Sequence, residues 1–254
     1  MELFDTHSHY NDKAFENDLD EVLKKVYKSN VTKLVCIGYN LESSRKAIEI
    51  AKKYDYIYAT CGISPNDVNE NSIEELNEIY ELAKNNDKVV AIGEIGLDYY
   101  WNKENKELQK EVFIKQIELA NKLDLPITIH TRDAHIDTID ILKQEKCLNT
   151  GIFHCCPLNV ELIKKGIELG YYISFTGVIT FKNAKPELAI NEVPLDRLLI
   201  ETDCPYMAPE PYRGKRNDSS YVIEVARKLA KEKNIEVEAI AKITYDNANR
   251  IYKM

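Results

Sequence analysis

Leu3-Phe4-Asp5-Thr6-His7-Ser8-His9 opens the chain, and the way this stretch ends governs the reading of everything after it. A β-prone apolar start runs straight into polar residues. A doubly wound nucleotide-binding sheet would follow its first strand with a glycine-rich phosphate loop; this strand delivers two imidazoles instead. Alternate strand residues project to one side, which places His7 and His9 together, with Asp5 expected on that side too. Paired neutral imidazole nitrogens suit Zn²⁺, Mn²⁺, Fe²⁺ or Co²⁺. Alone the pattern is weak, because two hydrogen-bonded polar residues at a strand end look the same.

Working outward, short apolar runs at 3–6, 34–38, 57–62, 89–97, 127–130, 151–154, 171–175 and 198–202 alternate with amphipathic segments. Their spacing, roughly thirty residues per strand–helix unit, is that of repeated βα units. Leu19, Val22, Leu23 and Val26 make one helical stripe, and Phe113, Ile117 and Ala120 another. Asn159 is placed to cap a helix that Gly170 ends, Asp218 or Ser219 to cap the next, and a last helix is expected over 236–252. The expectation is an α/β chain forming one domain over 1–254, a (β/α)8 TIM barrel.

The polar residues at the run ends support closure into a barrel. The chain has only five histidines. His7, His9, His130 and His154 each sit at or just past the end of a run, and His135 lies in the loop or helix start after the fifth. In a barrel all strand C-termini open on one face. Glu94 lies inside the run Val89-Val90-Ala91-Ile92-Gly93-Glu94-Ile95-Gly96-Leu97-Asp98, where a carboxylate is costly unless paired or bound to a cation. A buried Glu–Arg pair is the bland alternative; Gly93 and Gly96 beside it suit close approach to the backbone. Asp203 ends Leu198-Leu199-Ile200-Glu201-Thr202-Asp203, ahead of Pro205. Four histidines and two carboxylates at one mouth make a donor set for two divalent ions bridged by a carboxylate.

Bulk properties narrow the classes. A net charge of −8 argues against gripping long duplex nucleic acid over a broad basic face. No apolar run nears the roughly 18 residues of a membrane span. The six cysteines form no C-x-x-C pair, and the N-terminus shows no export pattern, so reduced thiols and a cytoplasmic location are expected, with no membrane partner. Cys155 and Cys204, each next to a candidate ligand, are expected to point away from the site as small buried hydrophobes. A monomer is expected.

In combination these motifs resemble the TatD-type metal-dependent deoxyribonucleases of the amidohydrolase-like barrel superfamily. The matching stretches are Phe4-Asp5-Thr6-His7-Ser8-His9, Gly93-Glu94-Ile95-Gly96-Leu97-Asp98-Tyr99, Ile129-His130-Thr131-Arg132, Phe153-His154-Cys155 and Leu199-Ile200-Glu201-Thr202-Asp203-Cys204-Pro205-Tyr206. Pro211-Tyr212-Arg213-Gly214-Lys215-Arg216-Asn217 completes the set. The resemblance implies that His7, His9 and Asp203 hold one ion, His130 and His154 the other, and Glu94 bridges, the ions being Mg²⁺, Mn²⁺ or Zn²⁺. It implies hydrolysis of phosphodiester bonds in DNA, typically from strand ends or on single strands, with RNA or damaged DNA as further substrates. Glu94 and Asp203 would be the catalytic carboxylates. Arg132, Arg213, Lys215 and Arg216 would hold phosphates, and Tyr99, Tyr100 and Trp101 are weaker candidates for stacking on an unpaired base.

Two stretches depart from the family. Ser64 and Asn66 stand where its members usually carry histidines that contact substrate. Cys155-Cys156-Pro157-Leu158 replaces a loop able to offer backbone N–H groups, which Pro157 lacks. These leave open two other readings: an amidohydrolase-type enzyme cleaving a small-molecule C–N or C–O bond, and a metal-binding barrel with little catalysis. Many enzymes of the former class use a carboxylated lysine as the bridge. No lysine is expected inside an apolar strand here, which disfavours that class.

Overall fold

Eight parallel strands, each hydrogen-bonded to the next in chain order, form the interior of the protein. They are β1 (Leu3–Ser8), β2 (Val31–Cys36), β3 (Ile57–Cys61), β4 (Val89–Asp98), β5 (Ile127–Arg132), β6 (Gly151–Phe153), β7 (Tyr172–Phe175) and β8 (Leu198–Ile200). Around them lie α1 (Leu19–Lys28), α2 (Leu41–Lys53), α3 (Ser72–Lys84), α4 (Lys106–Leu123), α5 (His135–Gln144), α6 (Val160–Glu168), α7 (Glu187–Glu192), α8 (Val222–Lys233) and α9 (Val237–Ile251). The computed structural model describes residues 1–254. A bridge between Ser8 and Cys204 brings the chain beyond β8 back to β1, so the sheet curls into a nearly closed (β/α)8 barrel. None of its helices is long and apolar enough to cross a membrane.

Strand alternation sorts the apolar residues into two regions. Leu3, Leu34, Ile173 and Leu198 face outward into a large shell against the helices. Phe4, Val35, Ile152, Tyr172 and Leu199 face inward and fill the lumen, stoppered by Ile251 and Tyr252 at the end of α9. The Tyr252 hydroxyl donates to the Thr6 carbonyl oxygen at 3.2 Å. Above this plug lies a buried polar layer in which Thr6 Oγ1 meets Ser174 Oγ at 3.2 Å and donates to Glu201 Oε2 at 3.4 Å. Removing one large lumen side chain, as in Leu199→Ala, costs about 2–5 kcal/mol in cores of this kind.

Two register shifts matter more than the regular strands. Asp5 pairs with Leu34 but Ser8 with Cys36, so three steps on β1 oppose two on β2. Ile92 pairs with Ile127 but Ile95 with Ile129, the same shift on β4. Such a bulge reverses which residues face inward beyond it. Thr6 and His7 thus both face the lumen, and Glu94 faces inward while Ile92, Ile95 and Leu97 face the shell. The expected placement of Asp5 beside the imidazoles is corrected by this. It lies on the opposite side, fully buried, accepting from the Thr202 backbone N–H and from Thr202 Oγ1 and Ser219 Oγ.

On α1 Val22, Leu23 and Val26 are buried and Leu19 partly so, the α4 stripe is buried, and Asn159 caps α6 by accepting from the Leu162 N–H. Gly170 follows that helix at φ +88°. Asp218 caps a short 3₁₀ turn over Ser219–Tyr221 instead of α8, which starts directly after it. β2 begins earlier than its apolar run because Thr32 and Lys33 are strand residues bonded to Tyr245 and Asn249 of α9. A lysine therefore does lie within a strand, contrary to expectation, but it is tied to the final helix.

Candidate metal centre

Each of the six singled-out side chains is fixed by backbone at the C-terminal mouth of the barrel. The His7 carbonyl accepts from Asp203 N–H at 2.9 Å, which brings the β1 and β8 ends together. Glu94 N–H donates to the Gly38 carbonyl at 2.7 Å, and His154 N–H to that of Ile129 at 3.1 Å. β4 and β5 approach so closely that a Cβ on Gly96, where φ is +135°, would lie 2.0 Å from the His130 carbonyl oxygen. Asp203 and Cys155 are held in the left-handed region, at φ +54° and +39°. Such strain costs of order 1–3 kcal/mol per residue and persists only where surroundings enforce it.

Glu94 stands at the centre and divides its two oxygens. Oε2 lies 3.5 Å from His7 Nε2 and 4.0 Å from His9 Nε2. Oε1 lies 3.1 Å from His130 Nδ1 and 3.4 Å from His154 Nε2. Asp203 Oδ1 completes the first group, 3.1 Å from His9 Nε2 and 3.5 Å from His7 Nε2. His7 and His154 stack at 3.9 Å with their planes 7° apart, joining the two groups. Both the His7–His9–Glu94 set and the Glu94–His130–His154 set have donor atoms close enough to hold an ion. The partners of Glu94 are imidazoles, not the arginine of the bland alternative.

Tautomer chemistry tests whether a cation fits. His130 Nε2 lies 2.9 Å from Asp98 Oδ2, so a neutral ring keeps its proton on Nε2 and turns its Nδ1 lone pair to Glu94 Oε1, 3.1 Å away. A lone pair facing a carboxylate oxygen is repulsive, so this contact requires either a second proton on the ring or a cation between the two atoms. Asp98 Oδ1 accepts from the backbone N–H groups of Tyr100 and Trp101. On the other side, Glu201 Oε1 lies 3.6 Å from His154 Nδ1 and accepts from the Cys155 N–H. Asp98 and Glu201 were not singled out as functional from the sequence. Their signal, an acidic residue four beyond Glu94 and one two before Asp203, becomes legible only with the folded partners.

The protonation pattern has the same origin. Burial would raise Glu94, but the charge of His154 and hydrogen bonds from His130, His154 and His7 outweigh it and hold the carboxyl well below its usual range. Asp203 is likewise held low against burial by His9. Burial would lower His9, His130 and His154, yet the facing carboxylates overcome it and raise all three; His7 is lowered by burial.

A cavity of about 500 Å³ opens above this cluster, with His9, Glu94, His130, His154 and Asp203 in its floor and walls. Arg132 lines it and forms no ion pair; its guanidinium lies over the Tyr100 ring at 3.9 Å. Arg213, Lys215 and Arg216 are not among its lining residues. Arg213 lies over Phe181 and donates to the Ala208 carbonyl, Lys215 lies near the Tyr212 ring, and Arg216 pairs with Asp18. Ser64 and Asn66 both line the cavity, though the Ser64 hydroxyl is committed to Asp67. Tyr99 is buried and donates to Asp137, whereas Tyr100 and Trp101 are exposed. Cys204 is fully buried, but Cys155 lines the cavity, because its left-handed backbone turns the thiol toward Met207.

The model of the family described as TatD related DNase matches residues 4–253. The chain belongs to the TatD family. Among its relatives is the uncharacterized metal-dependent hydrolase YabD of Bacillus subtilis, 45% identical, the match covering 99% of each chain. YcfH of Escherichia coli K12, also described as an uncharacterized metal-dependent hydrolase, is 38% identical over 99% of this chain and 96% of its own. The crystal structure of YJJV, a TatD homologue from Escherichia coli K12, superposes with a TM-score of 0.92 at 28% identity, covering 99% and 98%. This TatD-family protein is thus a metal-dependent hydrolase, and its His, Glu and Asp clusters at the barrel mouth could bind the metal.

Proposed function

We propose that this hydrolase cleaves phosphodiester bonds in DNA, acting on single strands or strand ends, with two divalent ions (Mg²⁺, Mn²⁺ or Zn²⁺). The observation that carries the reading is the Glu94 carboxylate, which turns one oxygen to each histidine group beneath an open cavity. His7, His9 and Asp203 would hold one ion, His130 and His154 the other, with Glu94 shared. A bound pair of this kind lowers the pKa of a water and neutralises charge on phosphate oxygens.

The chain's own groups take the remaining tasks. Asp203 stays ionised at neutral pH because His9 and His7 stabilise its charge. Its Oδ1 faces those imidazoles, which leaves Oδ2 to orient an attacking water and accept its proton. Arg132 is placed to hold a non-bridging phosphate oxygen through its edge N–H groups. A cavity of this volume admits a terminal nucleotide and not a duplex segment. The net charge of −8 fits the same preference.

Incubation of metal-loaded protein with end-labelled single-stranded DNA tests this, with RNA, amide, lactone and small phosphoester substrates alongside. Expected is nucleotide release with added Mn²⁺ or Mg²⁺, abolished by chelator and reduced at least 100-fold by Glu94→Ala, as for loss of a group shared by both ions. Turnover of amides or lactones without DNA cleavage, or no turnover by protein shown to hold metal, refutes it.

A further inference from the structure

The strongest unassigned feature lies on the rim beside β4 and β5. Tyr100 and Trp101 are 48% and 68% exposed although both are large aromatics. Their rings meet edge to face, with centroids 4.8 Å apart and planes at 89°. Arg132 extends over both, its guanidinium carbon 3.9 Å from the Tyr100 centroid and 5.5 Å from that of Trp101. Arg213 and Arg216 each place a donor on a carbonyl or a carboxylate, but the Arg132 guanidinium has no hydrogen bond or ion pair within the chain. An exposed guanidinium resting on aromatic rings is a planar, charged surface with its donors free.

This surface is continuous with the catalytic cavity and held in register with it. Arg132 is both a cavity-lining residue and the cation over the rings. Asp98 makes the second link. Its Oδ2 accepts from His130 Nε2 at 2.9 Å while its Oδ1 accepts from the Tyr100 and Trp101 N–H groups at 2.9 and 3.0 Å. One carboxylate therefore fixes a candidate metal ligand and the start of the aromatic pair together. A packing role would bury these rings; here they stay exposed just past the C-terminal end of β4.

We infer that Arg132, backed by Tyr100 and Trp101, is the binding site for the nucleobase adjoining the phosphate in the cavity. The guanidinium face and the exposed indole edge contact the base, while the edge N–H groups of Arg132 remain available to the phosphate. Stacking of this kind tolerates any base but requires it to be unpaired. The site therefore selects frayed ends and single strands, and rejects phosphodiesters that lack a base. The identity of the occupant rests on the phosphodiester reading above, and the experiment separates the two.

Trp101 is the single tryptophan, so fluorescence excited selectively at tryptophan reports on this rim alone. Metal-loaded protein is titrated with dTMP and with 2-deoxyribose 5-phosphate, which share sugar and phosphate and differ only in the base. Expected is saturable Trp101 quenching by dTMP at about tenfold lower concentration than any change caused by the sugar phosphate, as one stacked base contributes. Arg132→Lys keeps the charge but loses the plane, and should bring that ratio close to one. Equal binding of the two ligands, or dTMP binding without change at Trp101, overturns the inference. Cleavage assays on normal and abasic oligonucleotides are read in parallel. Equal cleavage of both supports the phosphodiester reading and defeats this one; base-dependent quenching without cleavage of either does the reverse.

Discussion

Asp98→Asn exchanges one oxygen for an amide group at almost constant volume, so its consequences are electronic. In the native protein Oδ1 accepts from two backbone N–H groups and Oδ2 from His130 Nε2. Asparagine retains a single acceptor atom. The two part-buried N–H groups claim it, since leaving such donors unpaired costs up to about 1–3 kcal/mol. The new amide then donates toward Nε2, which has to lose its proton, and the imidazole proton moves to Nδ1. That is the atom 3.1 Å from Glu94 Oε1, and once protonated it no longer offers a lone pair. Loss of such an orienting partner lowers metal affinity about 10- to 100-fold, which corresponds to roughly 1.4–2.7 kcal/mol. With two ions held as proposed, the change should fall on the ion of the His130–His154 side and leave the His7–His9 side within about threefold, given that it shares only Glu94. Calorimetric titration of apo protein with Mn²⁺ or Zn²⁺ reads the two affinities, and nitrogen NMR of labelled histidine reads the tautomer. Both affinities unchanged, with the proton of His130 moved, would refute His130 as a ligand through Nδ1.

Two other expectations follow from the same geometry. Gly96→Ala sets a methyl group 2.0 Å from the His130 carbonyl oxygen at φ +135°, so β4 and β5 have to separate. Destabilisation of about 2–5 kcal/mol is expected from strain and overpacking, with a rate loss of about 100-fold from ligand displacement; thermal unfolding within a degree or two of native would count against it. For pH, His9, His130 and His154 are raised in the metal-free site because Asp203, Asp98, Glu94 and Glu201 outweigh burial. Ligation needs the neutral imidazoles, so protons displace ions as pH falls through those raised values. Metal content after dialysis should drop on the acid side, with activity restored there by excess Mn²⁺; full metal retention at acid pH would contradict the ligand set.

How much of this was written in the sequence depends on which interaction fixed each feature. The eight strands were legible because apolar runs flanked by turns report burial directly, residue by residue. That six polar residues would meet at the barrel mouth was legible because polar side chains at the ends of such runs have no place in a core. What the sequence could not carry was parity. The bulges in β1 and β4 arise from pairing with β2 and β5, and they alone turn Glu94 inward and Asp5 away from His7. The orienting carboxylates Asp98 and Glu201 were equally hidden, since their meaning lies in imidazoles 32 and 47 positions distant along the chain. The basic segment from Arg213 to Arg216 looked like part of the mouth by its place after β8, yet packing on Phe181 and Asp18 draws two of its three cations elsewhere. The stretch from Leu3 to His9 shows the division most plainly. Its composition by itself determined that a strand would carry two imidazoles to the barrel mouth. Only the tertiary pairing, by inserting one extra residue opposite β2, decided which of its side chains would meet there.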